Sequence, residues 1–235
     1  MKDVTIVIQT KNRPKSLERL LVSLFSSLKE PTEIHIWDGG ENVEKVPKIK
    51  RVVEILASQQ HELSFLNCGR LSLAEARHKA LKVAKTRYVY MLDDDVIVTR
   101  TFLDLLPFEG AFICPYYALL PDHSEYAEWF DLPFEDPMIL PYTKGDRRVR
   151  LLYLETGACL VRRDNAIRAG GFKGLPNFGE VWGFNKRLKE KGYWGEYEPR
   201  AIVYHNEGHL EWVNPEFRPS HDWPKEVLPY LKRVR

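Results

Sequence analysis

The chain has 235 residues, of which 44% are hydrophobic and 29% are charged, and its formal net charge is +2. This composition supports one large domain with a buried core, and the balanced charge argues against a nucleic-acid-binding protein. No apolar run approaches the roughly 20 residues that a membrane span needs and no signal peptide precedes the first predicted strand, so we expect no transmembrane segment.

The first half of the chain alternates β-branched apolar runs with runs of helical periodicity. We predict strands over residues 4–10, 33–38, 63–67 and 88–92, and helices over residues 14–29, 46–59 and 73–85. Ser72 and Glu75 have the spacing of a capping box, which marks the start of the third helix. Strands that alternate with helices predict a mostly parallel sheet covered on both faces.

The second half is less regular. We predict strands over residues 112–115, 151–154, 158–162, 193–197 and 201–205, and helices over residues 163–169 and 180–191. Residues 117–150 lack clear periodicity but are rich in aromatic side chains, which favours a functional segment over a disordered one. These rings either stack on a ligand or pack the segment onto the sheet.

Three adjacent acids, Asp93, Asp94 and Asp95, separate two apolar β-branched runs, and we call them the acid triplet. Like charges repel, and carboxylates near a core lose hydration, so such a cluster favours a bound divalent cation. Hard cations such as Mg²⁺ or Mn²⁺ prefer carboxylate oxygen. The alternative is a solvated turn between two strands.

Polar residues follow two other predicted strands, at residues 10–13 and at Asp38. In an open α/β sheet, ligands bind outside the carboxyl ends of the strands, so these residues and the acid triplet predict one site. Arg13 could pair with a phosphate, and Asp38 could accept a hydrogen bond from a base. Taken singly, Arg13 is more often a solvated surface residue and Asp38 more often a turn residue, and it is the coincidence of three polar clusters at three strand ends that favours a site. No glycine-rich phosphate loop is present.

These motifs, in this order, resemble the GT-A-fold glycosyltransferases of family 2. The family has a Thr-x-Asn-Arg-like turn, here Thr10-Lys11-Asn12-Arg13, an Asp after the second strand and a Leu-Asp-x-Asp motif, here Leu92-Asp93-Asp94-Asp95. Its Ala-Arg-Asn helix motif is matched by Ala76-Arg77-His78, with His78 where Asn is common. The resemblance covers roughly residues 4 to 205.

The resemblance implies a GT-A (Rossmann-like) three-layer α/β/α sandwich with a mostly parallel central sheet. We expect one GT-A domain over residues 1–207, with a nucleotide-binding half over 1–98 and an acceptor half over 99–207, and a packed tail over 208–235. It also implies an enzyme that moves a sugar from a UDP- or GDP-sugar to an acceptor hydroxyl with Mn²⁺ or Mg²⁺.

The resemblance also assigns residues to the site. Nucleotide contacts are expected from Thr10, Asn12, Arg13, Asp38, Arg77, Asp93 and Asp94. Metal ligands are expected at Asp93, Asp95 and His205, and the donor-sugar and acceptor side at Gly157 and Trp182. Several of these have plainer alternatives: Arg77 could be a helix-surface residue, His205 a structural histidine and Gly157 a bulge.

The catalytic base is where the sequence departs from the family. Inverting members usually carry two acids at the start of a late helix, and here Glu180 is followed by Val181, which cannot take a proton. Either Glu180 is the base, or the enzyme is retaining, or catalysis is impaired; we favour Glu180. An acid at a helix start is also simply favoured by the helix dipole.

Two other classes compete with this assignment. A sugar-phosphate nucleotidyltransferase would need a glycine-rich first loop, and residues 9–15 contain no glycine. A non-catalytic nucleotide- or glycan-binding protein is favoured by Val181. Arg147, Arg148 and Arg150 form a basic cluster that could contact an anionic ligand or solvent. Three widely spaced cysteines predict reduced thiols and a cytoplasmic setting.

Overall fold

The computed structural model describes residues 3–119, 145–151, 154, 156–176 and 180–205. The predictions for the aromatic segment between residues 120 and 144, for Glu155 and for the tail beyond residue 205 lie outside these residues.

Strands and helices alternate through the first half, as the apolar periodicity predicts. The strands are β1 (Val4–Thr10), β2 (Glu33–Asp38), β3 (Glu62–Asn67), β4 (Tyr88–Asp93), β5 (Val96–Val98), β6 (Phe112–Leu119), β7 (Val149–Leu151), β8 (Ala158–Arg162) and β9 (Gly195–His205). The α-helices are α1 (Pro14–Ser27), α2 (Pro47–Ser58), α3 (Leu73–Val83), α4 (Arg163–Arg168) and α5 (Glu180–Glu190), with a short 3₁₀ helix at Val43–Lys45.

The nine described strands form one mixed sheet in the order β3-β2-β1-β4-β8-β6-β9-β5, with β7 also paired to β9. The first four strands of this order are parallel to one another. β8 runs antiparallel to β4 and β6, whereas β6 and β9 are parallel. The expected α/β class is therefore confirmed, with a parallel first half and a mixed second half.

Apolar side chains pack on both faces of the sheet. On one face, Ile6 and Ile8 of β1 join the leucines of α1 and Leu56 of α2. On the other face, Val7 joins residues of α3, α4 and α5. This alternation along β1 follows from the two-residue period of a strand, and every residue of β1 is buried.

Several element boundaries differ from the predictions. The first helix ends at Ser27. Of the strand expected over residues 151–154, Leu151 belongs to β7, which begins at Val149, and residues 152–153 lie outside the described residues. The two strands expected over 193–197 and 201–205 are one strand, β9. Its pairing with β6 shifts register between Pro115 and Tyr116, so that residues 199–201 are accommodated without ending the strand.

Within the described ranges, no helix combines the length and the apolar character that crossing a bilayer requires. The three cysteines remain as thiols.

Candidate active site

The carboxyl ends of β1, β2, β4 and β9 lie at the same edge of the sheet, which we call the acid edge. Thr10 is paired with Asp38 across β1 and β2, and Gln9 with Asp93 across β1 and β4. His205 ends β9 and is paired with Val96, directly after the acid triplet. The topology therefore brings together strand ends from four separate parts of the chain.

Asp94 lies at the buried centre of the acid triplet and is completely shielded from solvent. Its Oδ2 accepts hydrogen bonds from Thr10 Oγ1 at 2.6 Å and Arg13 Nε at 3.2 Å, and its Oδ1 lies 2.5 Å from Arg13 Nη2. Burial raises the pKa of Asp94 to about 7, although the charge of Arg13 opposes this shift. Asp94 therefore fixes the positions of the Thr10 and Arg13 side chains.

Arg13 bonds to two carboxylates of the acid triplet, those of Asp94 and Asp95. Its Nη1 donates to Asp95 Oδ2 at 2.7 Å, and 38% of its side chain is exposed. Burial works against its charge, but attraction to the carboxylates of Asp94, Asp95 and Asp93 raises the pKa of Arg13 overall. A charged and partly exposed guanidinium at this edge is well suited to an anionic ligand.

Asp95 and His205 offer metal-ligating atoms side by side. Asp95 Oδ1 lies 3.4 Å from His205 Nε2, and the two side chains are 7% and 16% exposed. Carboxylate oxygen and imidazole nitrogen together suit Mn²⁺ better than Mg²⁺. In the part of the chain that is described, no three acid, histidine or cysteine side chains already surround a common point. The pair fits the expected metal, and Asp93 as third ligand stays a prediction.

His205 is also oriented by an aromatic neighbour. The ring of Tyr117 stacks on the imidazole with a centroid distance of 5.1 Å and an interplanar angle of 28°. Tyr117 lies on β6, which is paired with the end of β9. From the sequence, Tyr117 is only the first ring of the aromatic segment, because its contact with the histidine depends on the β6–β9 pairing.

A second arginine, Arg77 on α3, is 2% exposed and contacts three elements of the fold. Nε donates to Gln9 Oε1 at 3.0 Å, Nη2 donates to Asp93 Oδ1 at 2.6 Å, and Nη1 donates to Glu180 Oε1. The guanidinium is buried and its donors face protein groups, and the predicted contact between Arg77 and a phosphate stays a prediction. The plainer alternative of a helix-surface arginine is wrong, because the side chain is buried.

Gln9 is a second residue of the site that was not predicted from the sequence. It is a single amide near the end of a strand that is otherwise β-branched and fully buried. A buried amide in such a run needs a polar partner, and that was the available signal.

Glu180 begins α5 and is 5% exposed. Arg77 holds its Oε1, while no hydrogen bond to its Oε2 exists among the described residues. The next residue, Val181, has no side-chain group that could accept a proton. Its backbone carbonyl accepts a hydrogen bond from Asn185 Nδ2 at 2.9 Å. Trp182 in the same turn is 56% exposed, so a large aromatic surface lies two residues from the candidate base.

Asp38 organises the turn after β2. Its Oδ1 accepts from the backbone N–H of Gly40 at 2.7 Å, and its Oδ2 accepts from that of Val43 at 2.8 Å. Asn12 has a positive φ of 56° and accepts a hydrogen bond from the backbone N–H of Glu41 at 3.1 Å. Both expected nucleotide contacts therefore lie at the acid edge, and both brace this turn.

Gly157 lies beside the end of β4, where its carbonyl accepts from the backbone N–H of Asp93 at 2.9 Å. A Cβ at this position would lie 2.4 Å from the Tyr117 hydroxyl oxygen. The close approach that its missing side chain permits is thus with Tyr117, and its predicted role toward the donor sugar stays a prediction.

The three arginines of the basic cluster, Arg147, Arg148 and Arg150, have different surroundings. Arg148 bonds to Glu196 and Glu198 in the first half of β9, away from the acid edge. Arg150 stacks on Trp194 with its guanidinium 4.9 Å from the ring centroid, and Arg147 is exposed. Arg148 and Arg150 therefore lie outside the candidate site.

The N-terminal half matches the model of the glycosyl transferase family 2 over residues 5–106. Over these residues the chain is similar to family 2 glycosyltransferases. This stretch contains the turn at residues 10–13, Asp38, the α3 motif and the whole acid triplet. The predicted resemblance is confirmed over these residues, and the matching family is one of enzymes, the glycosyltransferases.

Three of the solved structures that resemble most of the chain are GT-A glycosyltransferases. GalNAc-T7 with UDP, GalNAc and Mn²⁺ superposes with a TM-score of 0.64 at 15% identity, covering 87% of this chain and 44% of that one. The mannosyltransferase PcManGT from Pyrobaculum calidifontis in complex with GDP-Man and Mn²⁺ gives 0.63 at 14% identity, covering 98% and 68%. S. aureus TarS 1-349 gives 0.61 at 15% identity, covering 88% and 60%.

These likenesses establish the GT-A fold for this chain, and the predicted fold is confirmed. The chain spans less than half the length of GalNAc-T7 and well over half that of the other two. No curated protein matches the chain in sequence.

Proposed function

We propose that this glycosyltransferase is metal-dependent and moves a sugar from a UDP- or GDP-sugar to an acceptor hydroxyl. The observation that carries the proposal is the acid edge, where the acid triplet, Arg13 and His205 meet at the carboxyl ends of the parallel strands. Two structures of the same fold contain Mn²⁺ together with UDP or GDP-Man, which supports this donor class.

The binding roles follow from charge and exposure. Asp95 and His205, with Asp93, would hold Mn²⁺ or, less favourably, Mg²⁺, and the cation would neutralise the charge that develops on the leaving diphosphate. Arg13 would add its partly exposed guanidinium to the same phosphates. Thr10, Asn12, Asp38 and Asp94 would shape the nucleotide pocket, since their side chains brace the turns around it.

Glu180 would act as the base of an inverting reaction. The acceptor oxygen attacks the anomeric carbon, the bond from that carbon to the diphosphate breaks, and the acceptor proton passes to the carboxylate. Arg77 holds Oε1 and leaves Oε2 for this proton. The exposed ring of Trp182 would form part of the acceptor side, and Gly157 would lie near the donor sugar.

A panel of UDP- and GDP-sugars, incubated with and without Mn²⁺, tests the donor and metal assignments. We expect Mn²⁺-dependent release of nucleoside diphosphate with at least one donor, and inversion at the anomeric carbon when the product is examined by NMR. Asp95→Ala should abolish metal-dependent nucleotide binding while the fold survives. Asp104→Ala, at an exposed acid, is the matched control. Tight Mn²⁺-dependent binding by Asp95→Ala would refute the metal assignment.

A second substitution tests the base. Glu180→Gln should lower kcat by about 10²-fold or more, because the amide cannot accept the proton. Glu190→Gln at the other end of α5 is the control, since Glu190 is exposed and lies 4.0 Å from Lys186, an exposed partner one helical turn away. Turnover by Glu180→Gln close to that of the control would remove Glu180 from the mechanism.

One observation favours a second candidate, a non-catalytic nucleotide- or glycan-binding protein. Val181 replaces the usual second acid, and the remaining acid is already bonded through one oxygen to Arg77. If the protein binds UDP or GDP with Mn²⁺ but neither hydrolyses nor transfers any sugar, this candidate is correct.

We also infer a cytoplasmic setting, because all three cysteines remain as thiols.

A further inference from the structure

Arg77 joins the two sides of the candidate active site through one rigid group. Its three bonded partners are Gln9 on β1, Asp93 at the end of β4 and Glu180 at the start of α5. Asp93 lies on the proposed donor side, and Glu180 is the proposed base. They are separated by 87 residues in the chain, so their relative placement depends on the fold and on the side chain between them.

The guanidinium is suited to fix this placement. It is planar, and its donors diverge at fixed angles, so two carboxylates bonded to Nη1 and Nη2 are constrained in both distance and orientation. Gln9 fixes the third direction through Nε. The guanidinium carbon also lies over the ring of Phe172, 6.0 Å from its centroid. With 2% of its surface exposed, the side chain is enclosed by protein groups.

The two ion pairs of Arg77, with Asp93 and with Glu180, stabilise this arrangement. Arginine stays protonated in proteins, so Arg77 is a permanent cation between two acids, each of which it holds through one oxygen. Among the described residues, neither Oδ2 of Asp93 nor Oε2 of Glu180 is bonded to Arg77, so each acid keeps one oxygen for other contacts.

We propose that Arg77 is a positioning residue that fixes Glu180 relative to Asp93 and so sets the distance between the base and the bound donor. This inference rests on the proposed function. Arg77 would not touch either substrate. Its effect on the rate comes from placement, and a misplacement of about 1 Å between reacting groups can cost about 10²-fold.

The test is a double-mutant cycle with wild type, Arg77→Lys, Glu180→Gln and the double variant, with kcat and the Kd for UDP or GDP with Mn²⁺ measured for each. Lysine keeps the charge but cannot hold two carboxylates in fixed orientation. We expect Arg77→Lys to lower kcat by about 10- to 10²-fold, with a smaller change in Kd. In the Glu180→Gln background the same change should lower kcat by less than about threefold, since the base is already lost.

Two further variants keep the test decisive. Gln9→Leu removes the acceptor for Nε and leaves both ion pairs, so it should lower kcat by up to about tenfold even if Arg77→Lys does not fold. Arg51→Lys, at an exposed arginine on α2, should behave as wild type. A purely structural role for Arg77 predicts multiplicative effects on kcat in the cycle and none from Gln9→Leu, and that result would overturn the inference.

Failure of the proposed function gives a different pattern. If wild type turns over no donor, the transferase proposal fails. The role of Arg77 in fixing Glu180 relative to Asp93 is then tested by the free energy of unfolding of the same proteins in urea. Coupled unfolding effects of Arg77→Lys and Glu180→Gln would support a fixed link between the two carboxylates. Additive effects would overturn it.

Discussion

Substituting alanine for Gly157 tests how tightly the acid edge is packed. The new Cβ would lie 2.4 Å from the hydroxyl oxygen and 2.9 Å from Cζ of Tyr117, a side chain that is 5% exposed. Such overpacking costs about 1–3 kcal/mol, because either the ring or the backbone must move. If the ring moves, the stacked imidazole of His205 shifts with it. If the backbone moves, the hydrogen bond from Asp93 to the Gly157 carbonyl is strained.

We therefore expect Gly157→Ala to lower the free energy of unfolding in urea by about 1–3 kcal/mol. Each kcal/mol corresponds to a fall in Tm of about 2–4 °C for a chain of this size. Mn²⁺-dependent nucleotide binding should weaken as well. Gly39→Ala is the matched control, because a Cβ there meets its nearest neighbours at 3.6–3.8 Å, an ordinary contact distance. Adding Tyr117→Phe should restore part of the loss. Equal stability of Gly157→Ala and Gly39→Ala would show that the packing argument is mistaken.

Three further predictions concern stability. Ser72→Ala should cost about 1 kcal/mol in urea unfolding, because it removes the side chain that caps α3 together with Glu75; no measurable loss would mean that the cap is dispensable. Asp38→Ala should cost about 1–3 kcal/mol, since two backbone N–H groups lose their acceptor, and Asp38→Asn should lose less. The hydrogen bond from Arg200 lowers the pKa of Glu198 below its usual 4.5, so this acid stabilises the fold at neutral pH and its contribution is lost as the pH falls through the lowered value. Thermal unfolding of Glu198→Gln across pH 3–7 should therefore show a smaller acid-induced loss than wild type, and an identical pH dependence would contradict this.

The sequence predicted the first half of the fold closely because its signals are local. β-branched runs mark the buried strands, and the spacing of Ser72 and Glu75 marks the start of α3, where the capping box is present. The expected gathering of residues 10–13, Asp38 and the acid triplet at one edge followed from the rule that parallel strands end together.

The role of Arg77 could not be predicted in this way. Its motif is local, but its partners lie 68 residues before it, 16 after it and 103 after it. Helical periodicity places a charged side chain at the surface by default, and only the packing of α5 against this region buries it between two acids. Long-range ion pairs of this kind leave no periodic trace in a single sequence.

β9 was divided into two predicted strands because Pro199 and Arg200 interrupt its apolar pattern. Proline cannot donate to a strand ladder, so the interruption was a reasonable sign of a strand end. The register shift opposite Pro115 and Tyr116 absorbs these residues and lets the strand continue to His205. A bulge depends on the partner strand, which the local pattern does not reveal.

The position of β9 has a consequence for how the protein is made. Among the described strands, β5 and β7 are each paired only with β9, which is the last of them to leave the ribosome. The four parallel strands β1 to β4 can associate while synthesis continues, but β5 must wait more than a hundred residues for its neighbour. In nascent chains that stop before residue 195, we expect Asp93 to lie at the end of a paired strand, β4. The next strand, β5, which follows Asp95, would still lack its partner β9. The site would therefore be completed only in the final stage of folding.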